Sequence, residues 1–91
     1  MQSVFSNCNL ERINLKGVSF NNANRMLYFF SECTNLTSVI MDSELNDNLS
    51  CLAMFSNVTT NGKLYYNKKY DYSKIIEQLP PTWKAIPVDM G

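Results

Sequence analysis

The chain has 91 residues, 45% of them hydrophobic, with eight Lys and Arg balancing eight Asp and Glu and no histidine. That is the composition of one small globular domain with no overall field to draw it to nucleic acid or acidic membranes. The missing histidine leaves nothing to build a Cys/His zinc site or a Cys-His nucleophile from. No apolar run approaches the ~20 residues of a membrane helix, and the start lacks the basic and apolar regions of a secretory signal.

Taken in order, the chain repeats itself. Val4-Phe5-Ser6-Asn7-Cys8-Asn9-Leu10-Glu11-Arg12-Ile13-Asn14-Leu15 returns twenty-five residues later as Phe29-Phe30-Ser31-Glu32-Cys33-Thr34-Asn35-Leu36-Thr37-Ser38-Val39-Ile40-Met41, and again as Met54-Phe55-Ser56-Asn57-Val58. Self-similarity at this period predicts a solenoid, in which interior positions are constrained and exterior ones vary.

In the first unit, Leu10-x-x-Ile13-x-Leu15 predicts a parallel strand over about 10–15, turned by Lys16-Gly17. Asn21 or Asn22 is suited to cap a helix over about 23–31, because Met26, Phe29 and Phe30 are spaced to share one helical face. The second unit predicts a strand over about 36–41 and a helix over about 48–56. Leu45 matches Phe20, and Cys51, Met54 and Phe55 match Met26, Phe29 and Phe30.

The third unit departs after Val58. Lys63-Leu64-Tyr65-Tyr66 predicts a strand over about 63–66, with Leu64 in the place of Leu10 and Leu36. Asp71 or Ser73 caps a helix over about 72–79, which Pro80-Pro81 stops. Trp83 to Val88 closes the chain with a strand over about 84–88, where Pro87 is compatible with an edge. Residues 1–91 thus read as a single α/β solenoid domain: 1–58 hold two repeats and the start of a third, and 59–91 form an atypical capping unit.

The first repeat has no such cap. Val4, Phe5, Leu10, Ile13 and Leu15 are therefore expected to contact preceding repeats, another copy of the chain or a different partner. Exposed strand positions make the candidate ligand face: Glu11, Arg12 and Asn14, then Thr37, Ser38 and Ile40, then Lys63 and Tyr65.

Three cysteines do not make a closed disulfide framework. Cys8 and Cys33 occupy equivalent places, within a strand spacing that permits a disulfide, yet they are read, with Cys51, as buried thiols. Asp42, Glu44 and Asp47 fit no established Ca²⁺ loop and read as a solvated turn. The sequons at Asn35, Asn48 and Asn57 read as chance in a chain this rich in Asn, Ser and Thr. Lys63, Lys68, Lys69, Lys74 and Lys84 outnumber the acids after position 61 and read as a solvated face. No cluster of titratable groups suggests an enzyme, and no cofactor or metal is expected.

The units Phe5-Ser-Asn-Cys-x-Leu-x-x-Ile-x-Leu and Phe30-Ser-Glu-Cys-Thr-Asn-Leu-Thr-Ser-Val resemble the BspA-like leucine-rich repeats of bacterial surface proteins. The tail, with Asn61-Gly62-Lys63-Leu64-Tyr65-Tyr66-Asn67 and Leu79-Pro80-Pro81-Thr82-Trp83, looks like the cap that follows such repeats in gut Bacteroidetes and their phages. The resemblance implies a leucine-rich-repeat solenoid serving as an extracellular, cell-surface or virion-surface adhesion module, at the C-terminal end of a longer repeat protein, with a protein or glycan ligand. The alternative is a structural component of a phage particle or surface assembly, docked through its first repeat. The family has no fixed functional residues to carry over, and neither nucleic-acid binding nor membrane insertion is expected.

Overall fold

The computed structural model describes residues 4–91. Four parallel strands, β1 (Arg12–Leu15), β2 (Ser38–Met41), β3 (Gly62–Asn67) and β4 (Trp83–Val88), form one sheet in the order of the chain. Each strand pairs with the next after one circuit, so the fold is a parallel β-solenoid of about three turns.

Alternation sets which side chains fill it. Ile13, Val39 and Leu64 form one row across the sheet, and Leu15, Met41 and Tyr66 another. All of these except the half-buried Tyr66 are buried. The sequence alignment of Leu64 with Leu10 and Leu36 is corrected by this register. Leu64 stands beside Val39, whereas Leu36 lies before β2 and the Thr60 hydroxyl donates to its carbonyl. Leu10 is 49% exposed while Leu36 is fully covered, so the two do not share an environment.

The expected helices over 23–31 and 48–56 do not form. Turns and isolated parallel bridges, Phe20 with Leu45 and Arg25 with Ser50, replace them. The reason lies in where the backbone donors go. Met26, Tyr28, Phe30 and Glu32 give their N–H groups to the carbonyls of Ser50, Leu52, Met54 and Ser56 at 2.8, 3.3, 2.8 and 2.8 Å. A helix would have consumed those donors within its own turn. Tyr28 and Ala53, inside the expected helices, also adopt φ of 55° and 56°, which an α-helix excludes.

Met26, Phe29 and Phe30 nevertheless face inward, as do Cys51, Met54 and Phe55. The spacing that suggested a helical face is met here by tight turns whose apolar residues point into the coil. Phe5, Phe30 and Phe55 stack along the axis with ring centroids 5.9 and 5.2 Å apart, and Trp83 continues the column 5.2 Å from Phe55. Aromatic contacts at these separations add to the burial of the rings.

The last coil carries a helix where the earlier coils have turns. Its helix, α1 (Ser73–Ile76), is one turn long where the sequence suggested eight residues over 72–79. Tyr72 occupies the N-cap, and the Asp71 carboxylate accepts the Ser73 N–H at 2.9 Å. That bond holds the Asp71 carboxyl below its ordinary range. Among the described residues β4 lies at the sheet edge, where the missing N–H of Pro87 removes no bond from a further strand.

Candidate functional site

The sheet has an outward surface built by the same alternation that fills the core. Across the four strands, Arg12, Ser38, Lys63 and Lys84 are register partners in one row. Asn14, Ile40, Tyr65 and Ile86 make the next. Arg12, Lys63 and Lys84 are exposed, and Ser38, Ile40, Tyr65 and Ile86 are half-buried. Neighbouring strands lie about 4.8 Å apart, so Lys63 and Lys84 stand side by side. Like charges directly opposite in a sheet destabilise it.

All eight residues expected on the ligand face lie on this side of the sheet or at its approach. Arg12, Ser38 and Lys63 come together in the basic row, and Asn14, Ile40 and Tyr65 in the row beside it. Glu11 and Thr37 sit one position earlier. The Glu11 carbonyl accepts the Thr37 N–H at 2.8 Å and the Thr37 hydroxyl at 3.2 Å. The Asn14 side chain is engaged locally, accepting the Lys16 N–H at 3.0 Å. Lys84 and Ile86 were missed in the sequence reading. Their alternation within Lys84-Ala85-Ile86 was the available signal, but only the pairing of β4 beside β3 shows which rows they extend.

A recess of about 330 Å³ opens at the start of β3 and β4, lined by Thr37, Asn61, Gly62, Lys63, Thr82 and Lys84. The Thr82 hydroxyl donates to the Thr60 carbonyl at 2.8 Å. With their protons committed to backbone carbonyls, the Thr37 and Thr82 oxygens offer lone pairs to a ligand. Lys63 and Lys84 supply donors and positive charge, and the Asn61 amide supplies both donor and acceptor. The recess thus matches a ligand that carries an anionic group and hydroxyl donors together. Tyr65, in the adjacent row, offers an aromatic face.

At the first coil, Val4 and Leu10 are 56% and 49% exposed and Phe5 is half-buried, whereas Ile13 and Leu15 retain only 5% and 6%. Any partner at that face meets Val4, Leu10 and part of Phe5. Ile13 and Leu15 are already covered by the chain itself.

Two further displaced groups, Cys51 and Tyr72, have structural explanations. Burial raises the Cys51 thiol, which donates to the Lys74 carbonyl at 3.1 Å. Burial also pushes Tyr72 up to about 12, with its hydroxyl held between backbone groups of Ser43. The Asp42 carboxylate accepts from the Asn67 amide at 2.7 Å. Among the described residues, Asp42, Glu44 and Asp47 do not form a group able to hold a metal ion. No helix among the described residues is long and apolar enough to cross a membrane.

The fold and this surface together define a small parallel β-solenoid that presents a basic row and an apolar row side by side. Comparison with protein-family models, curated proteins and solved structures returned no match.

Proposed function

We propose that the chain is a non-catalytic recognition module of an extracellular, bacterial-surface or virion-surface protein, and that its sheet face binds an anionic polysaccharide. The observation that carries the reading is the register of Arg12, Ser38, Lys63 and Lys84 beside a recess lined by Thr37, Asn61 and Thr82. Cations supply attraction to carboxylate or sulfate groups, hydroxyl and amide groups match sugar hydroxyls, and Tyr65 offers a face on which a sugar ring packs. The resemblance to BspA-like surface repeats supports the adhesive role and the extracellular placement.

Calorimetric titration of the chain with a carboxylated or sulfated polysaccharide, against an uncharged polysaccharide of similar length, tests this. Binding confined to the charged polymer is expected, with Lys63→Ala and Lys84→Ala each weakening it about tenfold, the loss of one charge-assisted hydrogen bond. Equal binding of the uncharged polymer, or affinity unaltered by both substitutions, would end the reading.

A second reading makes the chain a structural piece of a phage particle or surface assembly, joined through its first coil. It is favoured by the apolar exposure of Val4 and Leu10 beside β1, whose outer edge has no partner strand among the described residues. Such an edge is a template for pairing with another chain. Self-association through this edge, abolished by Leu10→Lys, is the expected result in sedimentation; a monomer at all concentrations speaks against it.

A further inference from the structure

The sulfurs of Cys8 and Cys33 lie 2.8 Å apart. Both are free thiols, in a nonbonded contact about 0.8 Å longer than the ~2.05 Å of a disulfide bond. The approach is a product of the solenoid itself. Each cysteine follows the same turn, with Cys8 N–H donating to the Phe5 carbonyl at 3.2 Å and Cys33 N–H donating to the Phe30 carbonyl at 3.3 Å. The coils are held in register around them by Phe5 N–H to the Phe29 carbonyl at 3.0 Å and Asn7 N–H to the Ser31 carbonyl at 2.9 Å. In the next coil the equivalent residue is Val58, also buried, so the position accepts an aliphatic side chain and packing alone does not demand sulfur.

We propose that Cys8 and Cys33 are a redox pair that closes into an intercoil disulfide and fastens the first coil to the second. The first coil is where such a fastening has most effect, because among the described residues β1 is paired only with β2 and Val4 and Leu10 beside it are exposed. The oxidant is a low-molecular-weight disulfide such as oxidised glutathione.

Half-buried Cys8 reacts first. Its thiolate attacks one sulfur of the small disulfide, forming a mixed disulfide and releasing one small thiolate. Cys33 then loses its proton to solvent and attacks the Cys8 sulfur, forming the intercoil bond and releasing the second small thiolate. Two cysteine thiols are oxidised, one small disulfide is reduced to two thiols, and the protons pass to those thiols. Burial and the Cys8 contact push the Cys33 thiol up to about 12, which fits Cys33 as the second participant. Cys51 stands apart, hydrogen-bonded to the Lys74 carbonyl, and takes no part.

The test equilibrates the full chain and its Cys51→Ser variant in oxidised and reduced glutathione, followed by alkylation and tryptic mass mapping. Oxidised Cys51→Ser is expected to join the peptide ending at Arg12 to the one beginning at Met26, with loss of two hydrogens. Its Tm should rise by about 10 °C, reversibly with reductant, from closure of the loop between the two cysteines. Cys8→Ser should abolish both changes. Continued alkylation of Cys8 and Cys33 in excess oxidised glutathione, or a stable mixed disulfide that never resolves, overturns the proposal. A bond that forms without raising the Tm overturns the fastening role.

Discussion

The hydroxyl of Tyr72 donates to the Ser43 carbonyl at 2.6 Å and accepts the Ser43 N–H at 3.0 Å, so one side chain from the last coil completes both backbone groups of a buried residue in the coil before it. The Ser43 hydroxyl in turn accepts the Phe20 N–H at 2.8 Å, so the connection reaches a third coil. Tyr72→Phe keeps the ring and leaves both Ser43 groups without that partner. It is expected to lower the unfolding free energy by about 1–3 kcal/mol in urea titration. A loss below 0.5 kcal/mol would mean that other groups or water satisfy Ser43. The same residue makes stability alkali-sensitive. Its folded pKa of about 12 exceeds its ordinary 10.0, so its contribution is complete below about pH 10 and falls away as pH rises toward 12. Tyr72→Phe should flatten the stability curve in that window.

Gly62 opens β3 beneath Trp83, and a Cβ added there would clash with the indole ring. Gly62→Ala is expected to cost about 1–3 kcal/mol through overpacking, read by thermal unfolding and by a shifted Trp83 emission. Combined with Trp83→Leu, its cost should fall below the sum of the two single changes, since both act on one contact. Strict additivity would show that the glycine serves another purpose.

Asn7, Glu32 and Asn57 hold equivalent left-handed positions, at φ of 61°, 59° and 62°. Asparagine tolerates this conformation better than glutamate because its short side chain bonds locally. Glu32→Asn should therefore stabilise the chain by roughly 0.5–1 kcal/mol, seen as a higher urea midpoint with an unchanged slope. A lower midpoint would show that the Glu32 side chain contributes more than its backbone conformation costs.

Much of the fold was legible in the residues themselves. The spacing of Phe5, Phe30 and Phe55 gave the repeat, and those rings stack in the finished structure. Leu45 was matched to Phe20, and the two form a parallel bridge. The candidate face was legible as to which side of each strand is exposed, through the alternation of Arg12 with Ile13 or Lys63 with Leu64. Less legible was the chain between strands. Met26, Phe29 and Phe30 satisfy a helix and a turn equally well, because periodicity reports which residues face inward and says nothing about where the backbone N–H groups go.

The sequence by itself determined the period and most of the inward set, since each is a local pattern of apolar and turn-forming residues. Tertiary structure decided the rest. Only strand register places Arg12, Lys63 and Lys84 in one row, and only the stacking of equivalent turns brings the Cys8 and Cys33 sulfurs into contact. It also decided against the two central helices, because hydrogen bonds between coils claimed donors that a helix would have used.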